Sequence, residues 1–142
     1  MPTQLGDPHR KTMKTILLAD DEAYLRLLVH TTLAEPTYRI LEATDGLQAL
    51  SMARAEHPDL LVLDWMMPGL SGIAVAQTLR QDPATANIPI IMLTAKGQDL
   101  DRAQGHAVGL QAYLVKPFSP LELLEKVQAI LEASAWQECK DV

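Results

Sequence analysis

The chain has 142 residues, is 48% hydrophobic and 21% charged, and carries a formal net charge of −6. Those figures fit one globular domain with a real core; the acid surplus argues against nucleic-acid binding, which needs a basic face, but suits a metal cation. Cys139 is the single cysteine, so there is no intrachain disulfide, which fits a reducing, cytoplasmic setting. No apolar run approaches the roughly 18 residues that would suggest a membrane span.

Residues 1–13 are polar, carry Pro2, Gly6 and Pro8, and are read as a flexible arm rather than a signal peptide. Residues 15–19 form an apolar, strand-like run that ends in Asp20-Asp21-Glu22. Leu25, Leu28, Val29 and Leu33 then recur at helical spacing, and Pro36 closes the helix. Residues 38–43 are half polar and predict an edge strand. Asp45 and Gln48 read as a capping box, opening a helix whose inner face is expected to be Leu47, Leu50 and Ala53 and which stops before Pro58.

Residues 60–63 are the apolar run of a strand buried on both faces. They end in Asp64, followed by the breaker Pro68-Gly69. Ser71 is the expected N-cap of a helix reaching about Gln81 and ended by Asp82-Pro83. Residues 88–93 make a fourth strand, running into Thr94. A weakly amphipathic, glycine-interrupted helix is expected over 99–107, as the least stable element. Residues 112–115 are the last strand, ending in Lys116-Pro117. Ser119-Pro120-Leu121-Glu122 is a helix start with Ser as N-cap, Pro at the first position and Glu at the third. Leu121, Leu124, Val127, Ile130 and Leu131 are expected along the inner face of that helix, with 134–142 as a tail. The domain proper is thus placed at 14–133.

Strand and helix alternate five times, which predicts an α/β fold: a parallel sheet with helices on both faces. Right-handed crossovers then bring every strand's carboxyl end to one edge. That edge would carry Asp20 and Asp21, Asp64, Thr94 and Lys116. Each has a plainer reading alone: the acid pair as a favourable helix start, Asp64 and Thr94 as ordinary strand ends, Lys116 as a solvated lysine. Gathered together, they suit metal-assisted phosphoryl transfer. Close carboxylates need a cation among them, and hard oxygens suit Mg²⁺. A lysine and a hydroxyl can steady charge on a transferred phosphoryl group. One carboxylate can be the nucleophile, giving an aspartyl phosphate, and Asp64 on the expected central strand is the best candidate.

Four segments resemble the receiver domain of bacterial two-component response regulators, the CheY-like family. They are Leu18-Ala19-Asp20-Asp21-Glu22, Leu63-Asp64-Trp65-Met66-Met67-Pro68-Gly69, Pro89-Ile90-Ile91-Met92-Leu93-Thr94-Ala95 and Tyr113-Leu114-Val115-Lys116-Pro117-Phe118. Thr94 lies 30 residues beyond Asp64 and Lys116 22 beyond Thr94, as in the family pattern. The resemblance implies a three-layer (βα)5, flavodoxin-like sheet in the order 2-1-3-4-5. It also implies roles: Asp64 as phosphoacceptor; Asp20, Asp21, Asp64 and the Met66 backbone carbonyl as ligands of Mg²⁺ (or Mn²⁺); Thr94 as switch hydroxyl; Lys116 as the phosphoryl-pairing lysine; Tyr113 as switch aromatic; and a cis Lys116–Pro117 peptide. Tyr113 is equally compatible with an ordinary strand aromatic.

The implied partners are a sensor histidine kinase or histidine phosphotransfer protein, and a downstream target. With no output domain in the sequence, action through partners is expected, as a single-turnover switch rather than an enzyme, and as a monomer or a weak dimer through the fourth helix, fifth strand and fifth helix. The chain departs from the pattern at Gln111-Ala112, where an acidic pair is common, and at Ser71; both are expected to alter surfaces more than chemistry. Met66 is apolar where a polar side chain could orient water, so a long-lived phosphorylated form is expected. Three other readings meet obstacles. A phosphohydrolase of the haloacid-dehalogenase type needs an Asp at position 66. A flavin module needs a hydroxyl- and glycine-rich loop where Asp20-Asp21-Glu22 stands. A phosphate-independent interaction module leaves the complete set of strand-end groups unexplained.

Overall fold

The structure, a computed structural model, describes residues 13–34, 37–95 and 107–140. Its elements are β1 (Lys14–Ala19), α1 (Ala23–Thr32), β2 (Tyr38–Ala43), α2 (Gly46–Glu56), β3 (Leu60–Asp64), α3 (Gly72–Gln81), β4 (Ile90–Ala95), β5 (Ala112–Lys116) and α4 (Pro120–Lys140). The helix expected over 99–107 and the arm before Met13 lie outside the described residues, apart from Ala107 at the helix's end. α4 continues unbroken to Lys140 because no glycine or proline interrupts it.

All strand pairs are parallel, and the order is β2-β1-β3-β4-β5. Parallel strands need a crossover between neighbours, and α1, α2 and α3 supply those from β1 through to β4. Leu17, Leu61, Leu63, Ile90 and Met92 point to the face covered by α2 and α3, with Ala49, Ala53, Ile73, Ala76 and Leu79. Ile16, Leu18, Leu60, Val62, Ile91 and Leu93 point to the other, against Val29, Leu33, Leu123, Val127 and Leu131 of α1, its C-cap and α4. Every residue of β3 is buried, as a strand covered on two faces requires. β2 lies at an edge, and its half-polar burial pattern follows from that.

The helix starts form as their sequences dictate. Gln48 N–H donates to Asp45 Oδ1 at 2.8 Å, Ala74 N–H to Ser71 Oγ at 3.3 Å and Glu122 N–H to Ser119 Oγ at 3.0 Å. The Asp45 box differs from expectation in one arm. Gln48 Oε1 accepts from Thr44 N–H at 2.6 Å and from Thr44 Oγ1 at 3.1 Å, one residue before the cap.

Two helix faces are also corrected. In α2 the buried residues are Gly46, Ala49 and Ala53, while Leu47 is 66% exposed. The cause is close approach: Gly46 lies against the Leu70 carbonyl, and a Cβ there would stand 2.8 Å from both Leu70 C and Leu70 Cβ. Only glycine fits that contact, so close approach outweighs hydrophobicity there. In α4 the inward row is Leu123, Val127 and Leu131 at four-residue spacing, and Leu121 turns outward.

Candidate functional site

The carboxyl ends of β1, β3, β4 and β5 bring together what the strand ends promise. Asp20 is fully buried and Asp64 nearly so, while Asp21 is exposed. Each of the three offers a carboxylate oxygen, and these atoms lie within 4.8 Å of one another. Lys116 reaches them from β5, its Nζ standing 3.1 Å from Asp20 Oδ2 and 3.3 Å from Asp64 Oδ1.

Local geometry explains the placement. After β1, Asp20 Oδ1 accepts from Glu22 N–H at 2.9 Å, which turns the chain into α1. After β3, Trp65 N–H donates to Leu93 O at 2.8 Å and Gly72 N–H to Trp65 O at 2.9 Å, closing the loop that carries Met66. Gly72 is required there: a Cβ would collide with the Asp64 carbonyl and sit 3.1 Å from Met92 Sδ. Gly69, with φ at 80°, makes the turn that L side chains rarely adopt. Trp65 is buried in the core beneath the site, and the Met66 side chain is 63% exposed above it.

The electrostatics are those of crowded acids. Burial, and then the neighbouring Asp20 charge, push Asp64 up from 3.8 to about 6 against the pull of Lys116. Burial likewise raises Asp20, partly offset by the Glu22 amide and Lys116. Burial disfavours the Lys116 ammonium, but Asp20, Asp64 and Glu22 outweigh it and hold its pKa above the ordinary lysine value.

Among the described residues two buried side-chain oxygens stand without a hydrogen bond, Asp20 Oδ2 and Thr94 Oγ1. The ammonium is close enough to Asp20 Oδ2 to pair electrostatically but off the line of a bond. Orphaned buried polar atoms are costly, and both of these belong to residues at the carboxyl edge of the sheet, where a ligand could satisfy them. An oxygen-rich cluster with an unbonded carboxylate oxygen fits a hard divalent cation.

The remaining residues sit as follows. The Met66 backbone amide, the weakest of the influences on Asp64, works with Lys116 to lower its pKa. Tyr113, opposite Met92 in the β4–β5 register, is half buried against the α2–α3 face of the core. The Lys116–Pro117 peptide is cis. One participant was missed: Glu22, whose Oε1 lies 3.2 Å from Lys116 Nζ. It belongs to the same acidic run as Asp20 and Asp21, but helix-start acids are common enough to hide it. Gln111 was also undervalued. Its side chain accepts from Ile90 N–H at 2.7 Å and its own N–H donates to Ile90 O at 2.9 Å, joining the starts of β4 and β5.

A parallel sheet in this order, with acids, a buried hydroxyl and a lysine at its carboxyl edge, is the arrangement of a CheY-like signalling receiver. The family model described as "Response regulator receiver domain" matches residues 16–128, and the chain belongs to that family. It is a phosphorelay module of two-component signalling.

The chain is 48% identical over 118 residues to the phosphate regulon transcriptional regulatory protein PhoB of Pseudomonas aeruginosa, covering 83% of this chain and 52% of that protein. It spans about half the length of the curated relatives it matches. Among solved structures it is similar to the chemotaxis response regulator CheY4 of Vibrio cholerae, with 32% identity, a TM-score of 0.76, and coverage of 84% of this chain and 99% of that one. It is also similar to the receiver domain of a sensor histidine kinase of P. aeruginosa PAO1, at 29% identity and a TM-score of 0.75, covering 84% of this chain and 98% of that one. That structure is described as having a magnesium ion coordinated in its active-site cleft. Among the described residues no helix is long and apolar enough to cross a membrane.

Proposed function

We propose that Asp64 is the phosphoacceptor of a cytoplasmic response regulator and takes its phosphoryl group from the phosphohistidine of a sensor kinase or phosphotransfer protein. The observation that carries this reading is the convergence on Asp64 of a lysine at 3.3 Å and a paired buried acid, beside an unbonded buried hydroxyl. Asp20, Asp21, Asp64 and the Met66 carbonyl would hold Mg²⁺ (or Mn²⁺). When bound, that cation neutralises the acid cluster and the charge of the incoming phosphoryl group.

An Asp64 carboxylate oxygen attacks phosphorus in line with the phosphorus–nitrogen bond. That bond breaks, its electron pair returns to the imidazole, and an acyl phosphate remains on Asp64. Lys116 pairs with a phosphoryl oxygen as it leaves its acid partners, and the Thr94 hydroxyl donates to another. Drawing Thr94 toward the phosphoryl group vacates space beside β5, into which Tyr113 turns, changing the surface offered to a downstream target. Water then cleaves the acyl phosphate, so the chemistry is one turnover per signal. Residues 14–133 carry this function, with 1–13 and 134–142 as flanking segments.

Beryllofluoride, a phosphoryl mimic, tests the reading by ¹⁹F NMR. A bound resonance that needs Mg²⁺ and disappears in Asp64→Asn is expected. A resonance indifferent to both, or none at all, contradicts it.

A further inference from the structure

Asp20 has four polar atoms, and three are tied down. Its N–H donates to Ala43 O at 3.2 Å, its Oδ1 accepts from Glu22 N–H at 2.9 Å, and its backbone carbonyl accepts from Arg26 Nη1 at 2.9 Å. Oδ2 alone has no hydrogen bond, and its neighbour is the Lys116 ammonium at 3.1 Å. The Arg26 guanidinium is itself fixed: its Nε lies 3.3 Å from Glu42 Oε1 on the edge strand β2, and its side chain is only 18% exposed. Glu42 is held in turn, with Oε2 2.7 Å from His30 Nδ1. The β1–α1 turn is thereby strapped to β2 through one side chain.

We propose that Arg26 is a positioning residue for the cation site: it fixes the Asp20 backbone and so holds the Asp20 carboxylate in the cluster it forms with Asp21 and Asp64. The inference rests on the metal-binding reading above. It needs arginine specifically, because two different nitrogens of one planar fork reach a carbonyl and a carboxylate at once. A lysine offers a single nitrogen and cannot span both.

Charge alone would act in the opposite sense. Arg26 is a cation near a cation site and repels its occupant, so losing it would tighten metal binding. A role in fold stability only would leave the affinity of the folded protein where it was. Weaker binding follows only if Arg26 aims the ligand.

The test is calorimetric titration of the full chain with MgCl₂, comparing wild type, Arg26→Lys and Arg26→Met, with metal-free melting curves to establish that each is folded. Arg26→Lys retains the charge and is expected to lose affinity by about tenfold, the scale for groups that orient metal ligands. Arg26→Met is expected to lose affinity too, despite removing a repelling cation. An unchanged or tighter Kd in folded Arg26→Lys overturns the proposal, and that variant decides alone if Arg26→Met does not fold. Failure of the wild type to bind Mg²⁺ would instead overturn the metal-binding reading itself.

Discussion

Lys116 Nζ on β5 stands 3.3 Å from Asp64 Oδ1 on β3, reaching over the end of the intervening strand β4. One ammonium there serves the carboxylates of Asp20, Glu22 and Asp64. The site is therefore under-neutralised, and a cation or a phosphoryl group with its cation can rebalance it.

That imbalance has a pH signature. Asp64 ionises at about 6 in the folded chain and at 3.8 as a free side chain, so the folded state holds the proton more tightly. Below 3.8 both states carry it; between the two values only the folded state does, and stability falls as pH rises; above about 6 the whole cost is in place. In EDTA at pH 7.5, Asp64→Asn is expected to melt higher than wild type, by at most about 3 kcal/mol in stability. The gain should vanish below pH 4. Thermal melts of both proteins across that range check it, and Mg²⁺ should stabilise wild type but not the variant.

The loop that carries Met66 depends on a glycine. In Gly72→Ala the new methyl meets the Asp64 carbonyl and Met92 Sδ. A loss of about 1–3 kcal/mol is expected, together with weaker Mg²⁺ binding, because the strand end must shift. Ser71→Ala is the control: it removes a cap worth about 1 kcal/mol and should leave Mg²⁺ affinity unchanged. Chemical denaturation and titration of both variants separate the two effects.

Arg80 works far from the acids. Its guanidinium donates to Val108 O at 2.6 Å, Ile88 O at 2.8 Å, Ala86 O at 3.0 Å and Gly109 O at 3.3 Å. It ties the end of α3 to the segments entering β4 and β5, in a site buried enough to lower its pKa. Arg80→Met is expected to cost about 3 kcal/mol, read by urea denaturation, with Mg²⁺ affinity unaltered.

Met66 bears on signal lifetime. Its side chain is 63% exposed beside Asp64 and offers no group to orient water. Met66→Asn or Met66→Glu is expected to shorten the life of the phosphorylated form several-fold, followed by loss of the phosphoryl mass with time. Equal decay in both variants and wild type removes Met66 from that role.

Much of this was legible in the chain because buried strands announce themselves. Leu60 to Leu63 could form little else, and topology then gathered Asp20, Asp64, Thr94 and Lys116 without knowledge of any distance. What stayed hidden depends on contact between segments far apart in sequence. The inner face of α2 follows the close approach at Gly46, which a hydrophobic pattern ranks below Leu47. The four carbonyls around Arg80 come from two separate loops, and nothing local to Leu79-Arg80 signals them. Glu22 looked like an ordinary helix-start acid until Lys116 was seen 3.2 Å away.

The central claim is that Asp64 is a metal-assisted phosphoacceptor. Intact-mass measurement after incubation with acetyl phosphate and Mg²⁺ tests it most directly. A gain of one phosphoryl group is expected in wild type, lost with EDTA and absent in Asp64→Asn. No gain in wild type, or a gain that survives Asp64→Asn, would contradict it.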